Sequence, residues 1–217
     1  MPESMSKTQY LQTILELGGS NEKISNKAIA EHLKVTPSSV SDMLAKLQES
    51  GDVEVQPYYG VTLTASGRKT ALKLIRSHRL FEVFLHDKLG LSLAESHMNA
   101  DNLDHDADEK MINSLDTFLG TPRYCPHGLL IPDEHYNYKP TILQTLAATK
   151  DGAVITINSY SEDFELLEYI EMIHLDIAQT WLVKGRLPFD GPIILINQDD
   201  QTEVQVSLKS ANFIFVN

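Results

Sequence analysis

The fold of the first third of the chain follows from KVTPSSVSDMLAKL, which occupies residues 34–47. Pro37 suits the first position of a helix, because a backbone N–H is not needed there. An apolar stripe at helical spacing continues from it: Val40, Leu44 and Leu47. We therefore predict a tight turn that ends at Pro37 and a helix that ends at Gly51.

Further elements are predicted on both sides of this segment. Apolar residues at helical spacing predict helices over residues 6–17 and 26–33, the second capped by Asn26. Apolar and polar residues alternate on both sides of a turn at 57–60, which predicts a two-stranded hairpin over 53–63. Helix, turn, helix and hairpin in this order are typical of a winged helix-turn-helix that binds DNA.

The exposed face of the predicted third helix carries short or polar side chains that can approach base edges and phosphates in a major groove. The candidate DNA-contacting residues are Thr36, Pro37, Ser38, Ser39, Ser41, Asp42 and Lys46. Any solvent-exposed helix can be polar at such positions. The prediction of DNA binding therefore depends on the order of the elements around this helix.

Taken alone, the net charge of −12 argues against nucleic-acid binding, because neutralising phosphates needs Lys and Arg. Its distribution weakens that objection. Residues 1–76 carry 9 Lys and Arg against 8 Asp and Glu, whereas residues 77–217 carry 9 against 22. The acidity therefore lies away from the predicted DNA-binding part, and a bound cation would offset some of it.

Length and composition are those of a globular protein with two or three domains: 217 residues, 42% hydrophobic and 22% charged. No apolar run approaches the roughly 20 residues that a membrane-spanning helix needs, and no leader resembles a signal peptide. We therefore expect a cytoplasmic protein with no membrane partner. The single cysteine, Cys125, excludes an internal disulfide and leaves a thiol for metal or redox chemistry.

Three helices are predicted in the middle of the chain, over residues 65–89, 92–105 and 106–119. The third carries a wide apolar stripe made of Met111, Ile112, Leu115, Phe118 and Leu119. The stripe is wider than one small helical layer is expected to bury. It indicates either the seam of a homodimer or packing against the long helix, and the residues alone leave both open.

The last third has a different character. After a linker rich in Pro, Gly and aromatic residues, one helix is predicted over 161–173 among short strands that suggest a small barrel. The strands are predicted over residues 154–157, 193–196, 204–208 and 213–216. The expected fold is mainly α with a small β part: a DNA-binding domain over 1–72, a helical domain with linker over 73–140, and a β module over 141–217.

Histidines and acids recur at helical spacing in the two helices before residue 105. His78 and Glu82 form an i, i+4 pair, and the second helix carries His97, Asp101, Asp104 and His105. Oxygen and imidazole donors together suit Mn²⁺, Fe²⁺ or Zn²⁺. An acidic helix is more often only a solvated face, but clustered carboxylates repel one another unless a cation lies between them. Cys125 and His127, two residues apart in a turn, add a thiolate and an imidazole.

Several segments together resemble the diphtheria toxin repressor family of metal-dependent regulators. RSHRLFEVFLHDKLGL at residues 76–91 carries the resemblance, together with the spacing from His97 to His105. CPHG at 125–128 is similar to the manganese-responsive members of that family. Further similar segments are KTQYLQTILELGG at 7–19, KVTPSSVSDMLAKL at 34–47 and VTLTASG at 61–67. The resemblance covers essentially the whole length and implies that the terminal β module is SH3-like or FeoA-like.

The resemblance implies two metal sites in each subunit. One would use Glu82, Cys125, His127 and an acid from the C-terminal module, with Asp163 preferred over its neighbour Glu162. The other would use Asp101, Asp104 and His105, with His78 as a possible further ligand and His97 ranked lower. Two positions depart from the family: Gln9 stands where relatives have an Asp or Met ligand, and Asp42 replaces a Gln on the recognition helix.

We therefore expect a homodimeric repressor, not an enzyme, that binds double-stranded operator DNA when Mn²⁺ is bound and controls metal-uptake genes. Fe²⁺ and Zn²⁺ are the alternative ions. Two other functions remain open: a metal-independent winged-helix regulator that responds to a small ligand, and a metallohydrolase. The hydrolase would need an open coordination position beside a general base, and the sequence has no separate motif for it.

Overall fold

A computed structural model of the chain describes residues 7–103, 107–141 and 143–217. The contacts divide these residues into two compact units. The first unit holds the described residues up to Ser77 together with Pro132–Asn137, and the second holds the described parts of His78–Ile131 and Tyr138–Asn217. The division into three domains at residues 72/73 and 140/141 stays a prediction.

The first unit contains the predicted winged helix-turn-helix. Its elements are α1 (Lys7–Glu16), α2 (Asn26–Leu33), α3 (Pro37–Glu49), β1 (Val53–Gln56) and β2 (Gly60–Leu63). Helix α3 starts as predicted, since Pro37 is in its first turn and the Thr36 hydroxyl accepts a hydrogen bond from the Ser39 N–H. The predicted cap of α2 was wrong by one residue, because Ser25 accepts the bond from Ala28 and Asn26 is already helical.

Three helices follow: α4 (Ala65–Val83), α5 (Leu93–Leu103) and α6 (Glu109–Leu119). Helix α4 was predicted to continue to residue 89, which was wrong: it ends at Val83, and a π-helical turn follows over Phe84–Lys88. His86 Nδ1–H donates to the Leu91 carbonyl across this turn at 2.8 Å. Helix α6 begins after Asp108, whose carboxylate caps it by accepting from the Met111 N–H. Within the described ranges, no helix is both long and apolar enough to cross a bilayer.

The C-terminal module is an antiparallel sheet of six strands in the order β3-β8-β4-β5-β6-β7. The strands are β3 (Gln144–Thr145), β4 (Val154–Tyr160), β5 (Thr180–Arg186), β6 (Ile193–Asn197), β7 (Glu203–Val206) and β8 (Ile214–Val216), with helices α7 (Phe164–Met172) and α8 (Leu208–Ala211). The strand predicted over 204–208 ends at Val206, because the Ser207 side chain caps α8. Strand β5 was not predicted from the sequence. In the structure, Trp181 and Val183 of this strand are buried and alternate with less buried neighbours.

Helix α5 packs against this module within the second unit. Ala94 is part of the same buried cluster as Leu167 and Trp181. The Leu93 N–H donates to the Glu171 carboxylate at 2.9 Å, which joins the start of α5 to α7. These contacts fix α5, which carries His97, against the C-terminal module.

Candidate metal centre

Candidate ligands from four parts of the second unit meet around Glu82. Helix α4 carries His78 one turn before Glu82, and α5 carries His97. The other ligands come from the segment after α6 and from the turn after β4: Cys125, His127 and Glu162. Elements distant in sequence therefore converge on one buried carboxylate.

The ligand atoms form two groups, and all atoms within a group lie within 4.8 Å of one another. The histidine group consists of His78, Glu82, His97 and Glu162. The thiol group consists of Glu82, Cys125, His127 and Glu162. Both carboxylates, Glu82 and Glu162, belong to both groups.

In the histidine group, two imidazoles converge on one carboxylate oxygen. His78 Nε2 and His97 Nδ1 are each 2.9 Å from Glu82 Oε1 and 3.1 Å from each other. Asp101 Oδ1 lies 3.3 Å from the other ring nitrogen of His78, and the Asp101 side chain is 44% exposed. Asp101, a predicted ligand of the other site, therefore contacts His78 through the ring nitrogen that is not directed at Glu82.

In the thiol group, the second oxygen of Glu82 faces the loop after α6. Glu82 Oε2 is 3.2 Å from His127 Nδ1, which in turn is 3.7 Å from Cys125 Sγ. His127 Nε2–H donates to the Leu93 carbonyl at 3.2 Å. This bond fixes the ring so that Nδ1 is the nitrogen directed into the group. The Glu82 carboxylate therefore presents one oxygen to each group.

The loop that carries Cys125 and His127 depends on Gly128. Gly128 has a φ of +78°, and a Cβ added there would lie 1.9 Å from the Asn158 carbonyl oxygen. The Tyr160 N–H donates to the His127 carbonyl at 3.0 Å, which ties the loop to β4. A residue with a side chain at position 128 would push the loop away from β4. The glycine of the CPHG segment is thus needed for the close approach.

Burial and charge set the protonation of the centre. Burial alone would raise the pKa of Glu82, but the charges of His127 and His78 hold this pKa well below its usual range. Burial alone would lower the pKa of His127, but the Glu82 charge raises it well above its ordinary value. Burial and the Glu82 charge raise the pKa of the Cys125 thiol. Without an ion, the thiol group therefore holds a carboxylate, an imidazolium and a protonated thiol.

The residues fit a divalent ion. Glu162 Oε1 is buried and has no hydrogen-bond partner in the part of the chain that is described, while the buried Glu82 Oε2 forms an ion pair with His127. A buried carboxylate oxygen without a partner is costly, and a cation beside it would offset that cost. Carboxylate, imidazole and thiolate donors suit Mn²⁺, Fe²⁺ and Zn²⁺.

Comparison with known proteins gives the family. Two family models match: "Iron dependent repressor, N-terminal DNA binding domain" over residues 4–61, and "Iron dependent repressor, metal binding and dimerisation domain" over residues 64–133. The solved structure of a manganese-dependent transcriptional repressor in complex with manganese is 32% identical, with a TM-score of 0.84, and the match covers 97% of this chain and 99% of that one. This chain belongs to the iron-dependent repressor family.

Two further relatives agree. The structure of ScaR with bound Zn²⁺ is 32% identical, has a TM-score of 0.81 and is matched over 98% of this chain and 99% of its own. The diphtheria toxin repressor of Corynebacterium glutamicum is 32% identical over 123 residues, which are 57% of this chain and 54% of that protein. The predicted family and fold class are thereby confirmed, and the family is one of metal-dependent transcriptional repressors.

The structure brings together some of the predicted metal ligands and not others. Glu162, the second choice from the sequence, belongs to both groups, whereas the preferred Asp163 caps α7 by accepting a hydrogen bond from the Leu166 N–H at 3.2 Å. Its short side chain suits this capping role. Gln9 is half-buried in α1 of the first unit. Asp104 and His105 lie outside the described residues.

The predicted DNA-contacting residues all lie on the surface of the first unit. Exposed positions in and just before α3 are Thr36, Pro37, Ser38, Ser39, Ser41, Asp42 and Lys46. The hairpin turn of the same unit carries two exposed tyrosines, Tyr58 at 105% and Tyr59 at 74%. Lys23 Nζ lies 5.3 Å from the centre of the Tyr59 ring, so the turn also has a positive charge.

The apolar stripe of α6 is divided between packing and exposure. Ile112 is buried, and Leu115 and Leu119 pack against the same cluster. Met111 and Phe118 are 53% and 66% exposed. Packing within the chain therefore uses one side of the stripe and leaves large apolar side chains on the other.

Proposed function

We propose that this chain is a manganese-activated repressor that binds operator DNA as a homodimer and controls genes for metal uptake. The position of the Glu82 carboxylate carries the proposal. One of its oxygens is 2.9 Å from two histidines and the other is 3.2 Å from His127. An ion in either group would therefore use a side chain that also belongs to the other, and filling one group would prepare the second.

Mn²⁺ is the first choice because a 32% identical structure of nearly the same length is a manganese-dependent repressor in complex with manganese. Fe²⁺ and Zn²⁺ are the alternatives, since both matching family models describe iron-dependent repressors and the ScaR structure has bound Zn²⁺. The Cys125 thiol favours softer ions than Mn²⁺. Ion availability would therefore contribute to selectivity alongside ligand geometry.

Helix α4 offers a route from the ligands to the DNA-binding elements. It begins two residues after the end of β2 and carries His78 and Glu82 in its last turns. A bound ion would supply the positive charge that draws the carboxylate, imidazole and thiolate ligands together. We infer that this favours a dimer in which both α3 helices match successive major grooves. Because such coupling is reciprocal, operator DNA would tighten ion binding by the same factor.

The exposed apolar residues of α6, Met111 and Phe118, support the homodimer. On α5, Met98 and Leu103 are also exposed, at 49% and 43%. Large apolar side chains left on two neighbouring helices are typical of a surface that another subunit covers. The matching family model, a metal binding and dimerisation domain, includes both helices.

The proposal is tested by selecting DNA duplexes from a random pool with Mn²⁺-loaded protein and measuring the affinity of the selected duplex. Full-length wild type, Glu82→Gln and Cys125→Ala are compared with Mn²⁺ and with chelator. Wild type should bind the duplex tightly only with Mn²⁺, and both variants should need more Mn²⁺ to reach the same occupancy. Equal affinity of the wild type with and without Mn²⁺ would contradict the proposal.

A further inference from the structure

Arg79 is buried beside the candidate metal centre without being one of its ligands. Its side chain is 1% exposed, and it follows His78 directly in α4. Arg79 Nη1–H donates to the Leu130 carbonyl at 2.7 Å and to the Tyr138 hydroxyl at 3.3 Å. Its Nε is 3.6 Å from Glu162 Oε1. The guanidinium therefore touches the loop that follows Cys125 and His127 and also the acid contributed by the β module.

The contact between Arg79 and Glu162 leaves the acid able to bind an ion. At 3.6 Å the two charges form an ion pair, but the distance is too long for a hydrogen bond. Glu162 Oε1 has no hydrogen-bond partner within the described ranges, and its side chain is only 9% exposed. Arg79 thus compensates the charge of Glu162 and holds it in place while the lone pairs of Oε1 remain available.

We propose that Arg79 is a positioning residue for the metal centre. Its hydrogen bonds to the Leu130 carbonyl and the Tyr138 hydroxyl fix the guanidinium, and the guanidinium holds Glu162 in a ligating position before any ion binds. Groups behind first ligands fix ligand orientation in this way. The inference rests on the proposed metal site and adds a residue to it. It also explains why a buried arginine, which is costly without compensating contacts, lies three residues before Glu82.

The test measures the Mn²⁺ dissociation constant by competition with a chelator in full-length wild type, Arg79→Gln, Glu162→Gln and the double variant. Arg79→Gln should bind Mn²⁺ about 10- to 100-fold more weakly. The double variant should bind no more weakly than Glu162→Gln alone, because Arg79 acts through Glu162. If the losses in Mn²⁺ affinity of the two single variants multiply in the double variant, the inference is overturned. Arg123→Gln is the control, since it removes an equal charge from an exposed arginine near the loop.

A second measurement uses the metal-free protein. Arg79→Gln should lower its melting temperature, because Glu162 loses its counter-charge, and adding Glu162→Gln should restore part of that loss. A further loss in the double variant would overturn the inference. If Arg79→Gln does not fold, Tyr138→Phe replaces it: removing this hydroxyl should weaken Mn²⁺ binding in wild type but not in Glu162→Gln. An equal effect in both backgrounds would overturn the inference.

The outcomes separate this inference from the proposed function. A wild type that binds no Mn²⁺ would refute the proposed function and this inference together. A wild type that binds Mn²⁺, with unchanged affinity in Arg79→Gln, would refute the role of Arg79 alone.

Discussion

Metal binding to the thiol group should weaken about a hundredfold for each pH unit lost below the pKa of His127. Metal ligands are thiolates and neutral imidazoles, so the protons on Cys125 and His127 must both leave. Glu82 contributes no proton, because its pKa is held well below its usual range. Each displaced proton changes the apparent association constant tenfold per pH unit, and two protons give about a hundredfold.

The direction of this pH effect follows from the number of protons bound with and without the ion. The ion-bound form carries fewer protons than the free form, so affinity rises as pH rises. The slope of the logarithm of the affinity against pH gives the number of protons displaced. It is two where Cys125 and His127 are both protonated, one between their pKa values, and zero above both. The Glu82 charge raises the pKa of His127 above its ordinary value of 6.5, so the steepest region extends above pH 6.5.

The assay is competition for Mn²⁺ against a chelator of known pH dependence, repeated across the range from weakly acidic to alkaline. The Cys125→Ala variant should lose one proton from the slope. The exposed residue His135 supplies the control, and His135→Gln should leave the slope unchanged. A wild-type slope near zero, or an unchanged slope in Cys125→Ala, would refute this account of the thiol group.

Three further predictions concern other parts of the molecule. Glu82→Gln should weaken ion binding by more than about a hundredfold, which is more than the loss expected for a residue that only supports a ligand. It should impair ion binding in both groups, whereas Cys125→Ala should impair only the thiol group. A chelator titration that follows both binding steps measures this difference. Gly128→Ala should destabilise the protein by about 2 kcal/mol or more in thermal melts, exceeding the loss in Gly152→Ala, where the φ is also positive but the space is open. Lys46→Ala should weaken binding to all DNA sequences similarly and reduce the salt dependence by about one charge, measured by anisotropy at several salt concentrations.

The winged helix-turn-helix was predictable because its signals are local. Thr36 and Pro37 start α3, and the alternation around residues 57–60 forms the hairpin. Each depends on residues within one turn or one strand, which the sequence displays directly. The π-helical turn at Phe84–Lys88 has no such signal, since its residues also fit an α-helix.

The candidate centre was only partly predictable because its ligands converge through distant contacts. Helical spacing pairs His78 with Glu82, but no spacing relates them to the turn after β4. Two adjacent acids stand in that turn, and capping of α7 occupies Asp163 while Glu162 reaches the centre. The sequence alone does not separate these two neighbours, because both are carboxylates. Arg79 gave no signal, since a buried arginine and an exposed one look alike in a sequence.

The most direct test of the account compares the affinity of the full-length protein for its selected DNA duplex in Mn²⁺ and in chelator, at one salt concentration and pH. Coupling between the ion and DNA should appear as a difference of about 5- to 150-fold in favour of the loaded protein. The same dissociation constant under both conditions would contradict the claim that the buried ligands around Glu82 control DNA binding.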